Sequence, residues 1–245
     1  WQIDEASKQD ATVIVTVGQR VPRWPECHIP GWALEDENLR RTKLLQMIHT
    51  TVERYKDNPT VTTWQVENEP FLALFGICPK LDPYFLTSEV ALVKELDPTR
   101  KVIVTDSGEL SLWYKAAREG DIFGTTLYRH IYQKRLGYVT YPIGPNFFKM
   151  KELWTRALTD QEHFIVIELQ AEPWANGWVK NVSLEEQFIT MDEKKLVENV
   201  TYARRLGFEE IYLWGVEWWY WLKVEKNYPA LWDTGRELFR QYNGK

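Results

Sequence analysis

Val61-Thr62-Thr63-Trp64-Gln65-Val66-Glu67-Asn68-Glu69-Pro70 is the stretch on which the fold turns. Its first six residues form a short run rich in β-branched side chains, the pattern of a buried strand, and an acidic, polar segment follows at once. Residues 35–56, just before it, carry apolar side chains at helical spacing and close on Asp57-Asn58-Pro59. Residues 85–96, just after it, do the same and close on Asp97-Pro98-Thr99. Proline cannot continue a helical hydrogen-bond ladder, so both sites end a helix and turn the chain into a strand.

The same alternation runs outward in both directions. Strands are expected at 12–17, 61–66, 101–105, 122–127, 164–169 and 210–214, and further helices at 1–8, 112–119, 147–157 and 192–206. Strand alternating with helix implies right-handed βαβ units on a parallel sheet. The connections into the strands are short and those leaving them are long, which puts the large loops at the carboxyl ends of the strands.

Composition agrees with a folded α/β protein. The chain has 245 residues, 44% hydrophobic and 27% charged, with no low-complexity tract, internal repeat or linker, so a single domain is expected. A (β/α)8 TIM barrel occupies roughly 250 residues. Only six of its eight strand-helix units are legible, and the helix at 1–8 reads as one leading into a third strand. Three explanations stand: the chain is a fragment, an N-terminal segment or second chain completes it, or closure is unusual. The absence of a signal-peptide pattern therefore does not assign a location.

The net charge of −5 offers no basic stripe for phosphates, which argues against a nucleic-acid partner, and no apolar stretch reaches the length of a membrane span. Two cysteines, Cys27 and Cys78, cannot build a disulfide framework or a thiolate metal site. Two free buried thiols are expected, with a single bridge between neighbouring loops as the alternative. The 13 Trp, 12 Tyr and 10 Phe exceed what a core of this size needs, and such rings stack on sugar faces.

The residues that carry chemistry sit at two strand ends. One ends in Asn68-Glu69-Pro70, and the other runs Ile165-Val166-Ile167-Glu168-Leu169-Gln170. These motifs resemble the cellulase-like TIM-barrel clan of retaining glycoside hydrolases (clan A). The resemblance implies that Glu69 is the general acid/base, Glu168 the nucleophile, and Asn68 a partner of the sugar 2-hydroxyl. Double displacement with retention asks for two carboxyl groups roughly 5–5.5 Å apart, one protonated and one ionised, and no metal or cofactor.

Glu67 shares the direction of Glu69 if the strand persists, as a buried partner of the acid or a structural ion-pair member. Glu172, four residues past Glu168, is the rival nucleophile or a substrate ligand. Trp24 and His28, in the loop after the first strand, resemble sugar-binding residues of the clan. Tyr128 and His130 resemble groups that position the nucleophile, and Trp214 and Trp218 resemble the floor of the sugar subsite. Glu109 lines the cleft in one reading, with Asp106 or Ser107 capping a helix.

The clan's second strand supplies an arginine beside the nucleophile, and this chain has no such strand. Arg20, Arg23 or Arg129 is left to compensate. A carbohydrate substrate is implied, for an enzyme or for a binding protein derived from one.

Overall fold

The computed structural model describes residues 1–74 and 76–243. In chain order the elements begin with α1 (Gln2–Lys8), β1 (Val13–Val17), α2 (Gly31–Glu35), α3 (Glu37–Tyr55), β2 (Val61–Val66) and α4 (Pro83–Leu96). There follow β3 (Lys101–Asp106), α5 (Tyr114–Ala117), β4 (Ile122–Leu127), β5 (His130–Gln133), β6 (Gly137–Thr140) and α6 (Pro145–Leu158). The chain ends with β7 (Phe164–Gln170), a 3-10 turn (Val179–Asn181), α7 (Leu184–Thr190), α8 (Glu193–Arg204), β8 (Ile211–Trp214), α9 (Val216–Glu225) and α10 (Ala230–Asn243).

All six expected strands are present, and they form one sheet in the order β1-β2-β3-β4-β7-β8. The pairings β1 with β2, β2 with β3, and β7 with β8 are parallel. Strands β5 and β6 form a separate antiparallel hairpin that hydrophobic periodicity did not reveal. Its residues, His130-Ile131-Tyr132-Gln133 and Gly137-Tyr138-Val139-Thr140, are too few and too mixed to carry a strand signal.

Local chemistry moves several boundaries. The expected helix at 35–56 is α3, whose start moves to Glu37 because Asp36 adopts extended backbone and its carboxylate accepts the Leu39 N–H (3.0 Å); the short α2 precedes it. Helix α3 then buries Leu44, Ile48 and Val52, one side chain per turn. The expected helix at 112–119 is reduced to a single turn behind Trp113, whose φ of 68° lies in the left-handed region. The fully buried Trp113 ring donates its N–H to the Ser107 carbonyl (2.8 Å).

The described residues form two compact units, Trp1–Gly124 with Leu153–Phe164, and Thr125–Glu152 with Ile165–Lys245. In the first, Ile48, Val52, Leu86, Val90 and Val93 of the helices cover Val61, Trp64, Val66 and Val102 of the sheet. In the second, Leu169, Met191, Leu196, Ala203, Trp219 and Leu222 form the core.

The first unit is pinned at the amino ends of its strands by Arg100. Its guanidinium donates to the carbonyls of Lys56, Asn58 (2.9 Å) and Val61 (2.6 Å) and to Asp97 (2.8 Å), tying the end of α3 to the start of β2. Asp97 also accepts the Trp64 indole N–H (2.9 Å). Burial alone would raise the Asp97 carboxyl, but the donors Trp64, Thr99 and Arg100 outweigh it and hold its pKa at about 2.

Arg100→Ala removes a donor from three carbonyls and the counter-charge from a buried carboxylate, and is expected to lower unfolding free energy by about 2–4 kcal/mol in urea titrations. Because the Asp97 pKa is depressed, its contribution is complete above pH 3.8 and is lost as pH falls toward 2. Asp97→Asn should remove that part of the acid dependence of the urea midpoint.

Candidate functional site

Strand β2 stops being a strand where its polar residues begin. Glu67 has φ of 60° and Glu69 has φ of 44°, so two carboxylate residues two positions apart hold left-handed backbone that only glycine adopts freely. Such conformations cost of order 1–3 kcal/mol each and persist only where the surroundings over-determine them.

The surroundings do so here. The Glu69 N–H donates to Thr105 Oγ1 (2.8 Å), and its carbonyl accepts from Arg20 Nη1 (2.8 Å). Arg20 also reaches the Leu72 carbonyl and pairs with Glu26. The Asn68 N–H donates to the Arg20 carbonyl (2.9 Å), and its side-chain oxygen lies 3.3 Å from both Gln65 Nε2 and Thr105 Oγ1.

Glu67 is fully buried, and its two oxygens accept the backbone N–H groups of Gln19 (2.6 Å) and Arg20 (2.7 Å). Burial pushes its pKa up to about 7 against the pull of those donors. Its hydrogen-bond donors are thus backbone N–H groups of the loop after β1. Gly18 makes room for it: a Cβ there would lie 2.7 Å from the Glu67 carboxyl carbon, and Gly18 itself has φ of 134°.

The loop after β1 also carries a correction. Cys27 and Cys78 are joined in a disulfide with Cα atoms 5.2 Å apart, and are not two free thiols. The loops following β1 and β2 leave adjacent parallel strands at the same end, which brings residues 51 positions apart in sequence into bonding distance. Trp24 and His28 lie exposed in this loop.

In the second unit Glu168 sits on β7, every residue of which is buried. The Tyr128 hydroxyl donates to Glu168 Oε2 (2.8 Å), and the Tyr128 ring meets Trp174 edge-on with centroids 5.2 Å apart. Gln170, two residues along, acts as a clamp. Its oxygen accepts the N–H groups of Arg129 (3.0 Å) and His130 (2.9 Å), and its amide donates to the His130 carbonyl (2.6 Å). Asn199 on α8 donates to the Gln170 carbonyl (2.9 Å) and accepts from Arg129 (3.2 Å).

His130 is buried with Nδ1 2.9 Å from Thr140 Oγ1. Burial lowers its pKa, and the neighbouring charges of Arg129 and Lys195 lower it further, so the ring is neutral at pH 7. Arg20 and Arg129 are therefore scaffold residues: one anchors the Glu69 turn, and the other stacks on Tyr202 (4.2 Å) and holds Asn199.

The last strand ends where the sequence placed its end, at Trp214. Gly215 then adopts left-handed backbone and α9 begins at Val216, so Trp214 and Trp218 stand on different elements. A Cβ on Gly215 would lie 2.3 Å from the Glu172 Cβ, so close passage of Glu172 dictates glycine and the chain turns there. Trp214 is half-buried, whereas Trp218 is buried with its indole N–H on Gln187 (2.7 Å). Trp219, also buried, donates to the Ala171 carbonyl (2.6 Å).

Ser107 organises the turn after β3, its hydroxyl accepting the Leu110 N–H (3.3 Å), and Asp106 accepts the Ser107 N–H (2.9 Å). Glu109 is half-buried. Among the described residues no group of three His, Cys, Asp or Glu is placed to hold a metal ion, and no helix is long and apolar enough to cross a membrane.

Neither a protein-family model nor a curated protein matches the sequence. Solved structures do. The chain is similar to a GH2 β-galacturonidase from Eisenbergiella tayi bound to galacturonate (TM-score 0.54, 13% identity, 86% of this chain and 34% of that one). It is similar to a β-D-glucuronidase from Dictyoglomus thermophilum (0.55, 14%, 87% and 35%) and a β-galactosidase from the psychrophilic Marinomonas ef1 (0.56, 13%, 86% and 45%).

At these identities the likeness establishes the fold, and the chain spans about a third to somewhat under half of each enzyme's length. The resemblance to the cellulase-like clan is thereby corrected, since the similar structures are a galacturonidase, a glucuronidase and a galactosidase. Asn-Glu-Pro at a strand end is three residues long and marks a position in the sheet, not a family.

Gly18→Ala tests the cradle around Glu67. It adds a strained φ and a clash with a carboxylate held by two N–H groups. A loss of at least about 2 kcal/mol in unfolding free energy is expected by urea titration.

Proposed function

We propose that this chain is the catalytic portion of a β-glycosidase that works by double displacement, with Glu69 as acid/base and Glu168 as nucleophile. The observation that carries this reading is the Glu69 turn. A left-handed backbone held by Thr105 on one side and Arg20 on the other immobilises one carboxylate at the carboxyl end of a parallel strand. Strain of that kind is kept where chemistry requires a group at a set place.

Glu168 supports the second role. It stands on a rigid, buried strand, and the Tyr128 hydroxyl orients its carboxylate as a nucleophile's must be oriented. In the proposed reaction Glu69 protonates the leaving oxygen while Glu168 attacks the anomeric carbon. Glu69 then takes a proton from the water that releases the sugar from the Glu168 ester. Asn68, its amide fixed by Gln65 and Thr105, is the proposed partner of the sugar 2-hydroxyl, and Trp24 is exposed as a stacking platform would be.

The reading extends to scaffold and substrate. The six strands would be six of the eight in a (β/α)8 barrel, completed by a further segment or chain. The similar structures, named for galacturonide, glucuronide and galactoside, favour a β-linked hexose or hexuronic acid.

The test uses the 2,4-dinitrophenyl β-galactoside, β-glucuronide and β-galacturonide with the matching 2-fluoro inhibitors. Mass spectrometry should find the fluorosugar ester on Glu168; labelling of Glu172, or no labelling, sinks the assignment. Glu69→Ala should lower kcat by about 10²–10⁴-fold on poor leaving groups, far less on dinitrophenyl, with rescue by azide. Tyr128→Phe should reduce kcat with little change in KM. Glycan binding without turnover, unchanged in Glu69→Gln, would instead establish a binding protein.

A further inference from the structure

Glu89 is the most unusual side chain outside the residues assigned so far. It lies on the buried side of α4, fully shielded from solvent, and neither of its carboxyl oxygens meets an N–H or hydroxyl donor. Its hydrogen-bonding neighbour is the carboxyl of Glu67, itself fully shielded. Two ionised carboxylates in contact without solvent repel strongly, and neither has a hydrogen to donate, so one of them must keep a proton.

Which one keeps it follows from the partners. Glu67 accepts two backbone N–H groups and faces the charge of Arg20, from the loop after β1; both favour its ionised form. Among the described residues the cation acting on Glu89 is Arg41, from α3, which is already engaged with Glu37 (2.7 Å) and Asp82 (3.2 Å). Glu89 is the acid of the pair.

We infer that Glu89 donates its proton to Glu67 in a buried carboxyl pair, and that this pair holds the Arg20 backbone and, through the Arg20 guanidinium, the turn that carries Glu69. Glu89 is thus a positioning residue for the proposed acid/base, a description that rests on the reading of Glu69 given above. The chain of contacts is continuous: Glu89 to Glu67, Glu67 to the Gln19 and Arg20 N–H groups, Arg20 Nη1 to the Glu69 and Leu72 carbonyls. The Leu72 N–H closes the turn on the Glu69 carbonyl (3.0 Å).

The arrangement has a defined pH signature. Burial raises both carboxyls above their ordinary value of 4.5, Glu67 to about 7 and Glu89 to about 10. The native pair therefore binds protons that the unfolded chain has released, and its contribution to stability is largest below pH 4.5 and falls as pH rises. Above neutral pH, while the pair still holds a proton that the unfolded chain has released, the slope is about tenfold in the folding equilibrium per pH unit. Glu89→Gln supplies a donor that does not titrate, whereas Glu89→Leu supplies none.

The experiment measures urea unfolding of the full chain from pH 6 to 9.5, with amide hydrogen exchange at Glu69 and Leu72 by NMR. Against wild type, Glu89→Gln should gain stability steadily across pH 7–9.5 and keep both amides protected. Glu89→Leu should lose protection at both amides by at least about tenfold at pH 7. Parallel stability curves for wild type and Glu89→Gln would eliminate the shared proton. Undiminished protection in Glu89→Leu would eliminate the positioning role.

Should Glu89→Leu fail to fold, Glu67→Gln serves in its place, since the Gln19 and Arg20 N–H groups point at different carboxylate oxygens and one of them would face an NH2 group, so the same loss of protection is expected. No readout here depends on turnover. The pair stands or falls separately from the assignment of Glu69, which the leaving-group and azide measurements decide.

Discussion

A carboxylate placed where water cannot reach it, with two backbone N–H groups aimed at its oxygens, is the interaction around which the first unit is arranged. Glu67 takes its donors from Gln19 and Arg20, residues on the loop that leaves the neighbouring strand. Removing a carboxylate from water is costly unless hydrogen bonds replace those it loses, and a proton on a neighbouring acid is the remaining way to reduce the charge. The glycine at position 18, the left-handed backbone at Glu67 and the engagement of Arg20 all follow from satisfying this one group.

The second unit solves a similar problem with a neutral group. Gln170 has no charge to bury, so its amide bonds both the N–H groups and the carbonyl of the Arg129–His130 segment without any titrating partner. That clamp presents Tyr128 to Glu168. Asn199, within an Asn-X-Thr sequon, is fully buried and bonded to the Gln170 carbonyl, which makes it a structural residue and not a glycosylation site in the folded state. The clamp's neutrality leaves Glu168 as the carboxylate of that strand end.

Nine of the 13 tryptophans fall at the two extremes of exposure, and the other four are half-buried. Trp64, Trp113, Trp218 and Trp219 are buried, and each places its indole N–H on a buried acceptor: Asp97, Ser107, Gln187 and Ala171 in turn. Their large apolar faces fill the core and their single donors are satisfied, so packing accounts for them. Trp1, Trp24, Trp32, Trp154 and Trp178 are more than half exposed, and packing does not account for those. Trp24 differs from the rest in lying on the disulfide-tied loop that also contributes Arg20 and Glu26 to the Glu69 turn.

Sequence by itself determined the six strands, the parallel βα alternation and the position of Glu69 and Glu168 at strand ends, because burial on a sheet forces β-branched apolar runs and proline forces helix stops. It did not reveal the β5–β6 hairpin, whose short mixed strands carry no period, nor the turn at Gly215, which is set by the passage of Glu172. Thr105, Arg20, Gln170 and Glu89 were equally hidden as supports of the two carboxylates. Each acts across 22 to 49 positions, and no local pattern records a partner at such distance: Glu69 is 36 residues from Thr105 and 49 from Arg20, and Glu89 is 22 from Glu67. Only the tertiary structure decided that Glu67 is buried against the Gln19–Arg20 backbone and that Cys27 meets Cys78, because both depend on loops of adjacent strands emerging at the same end of the sheet.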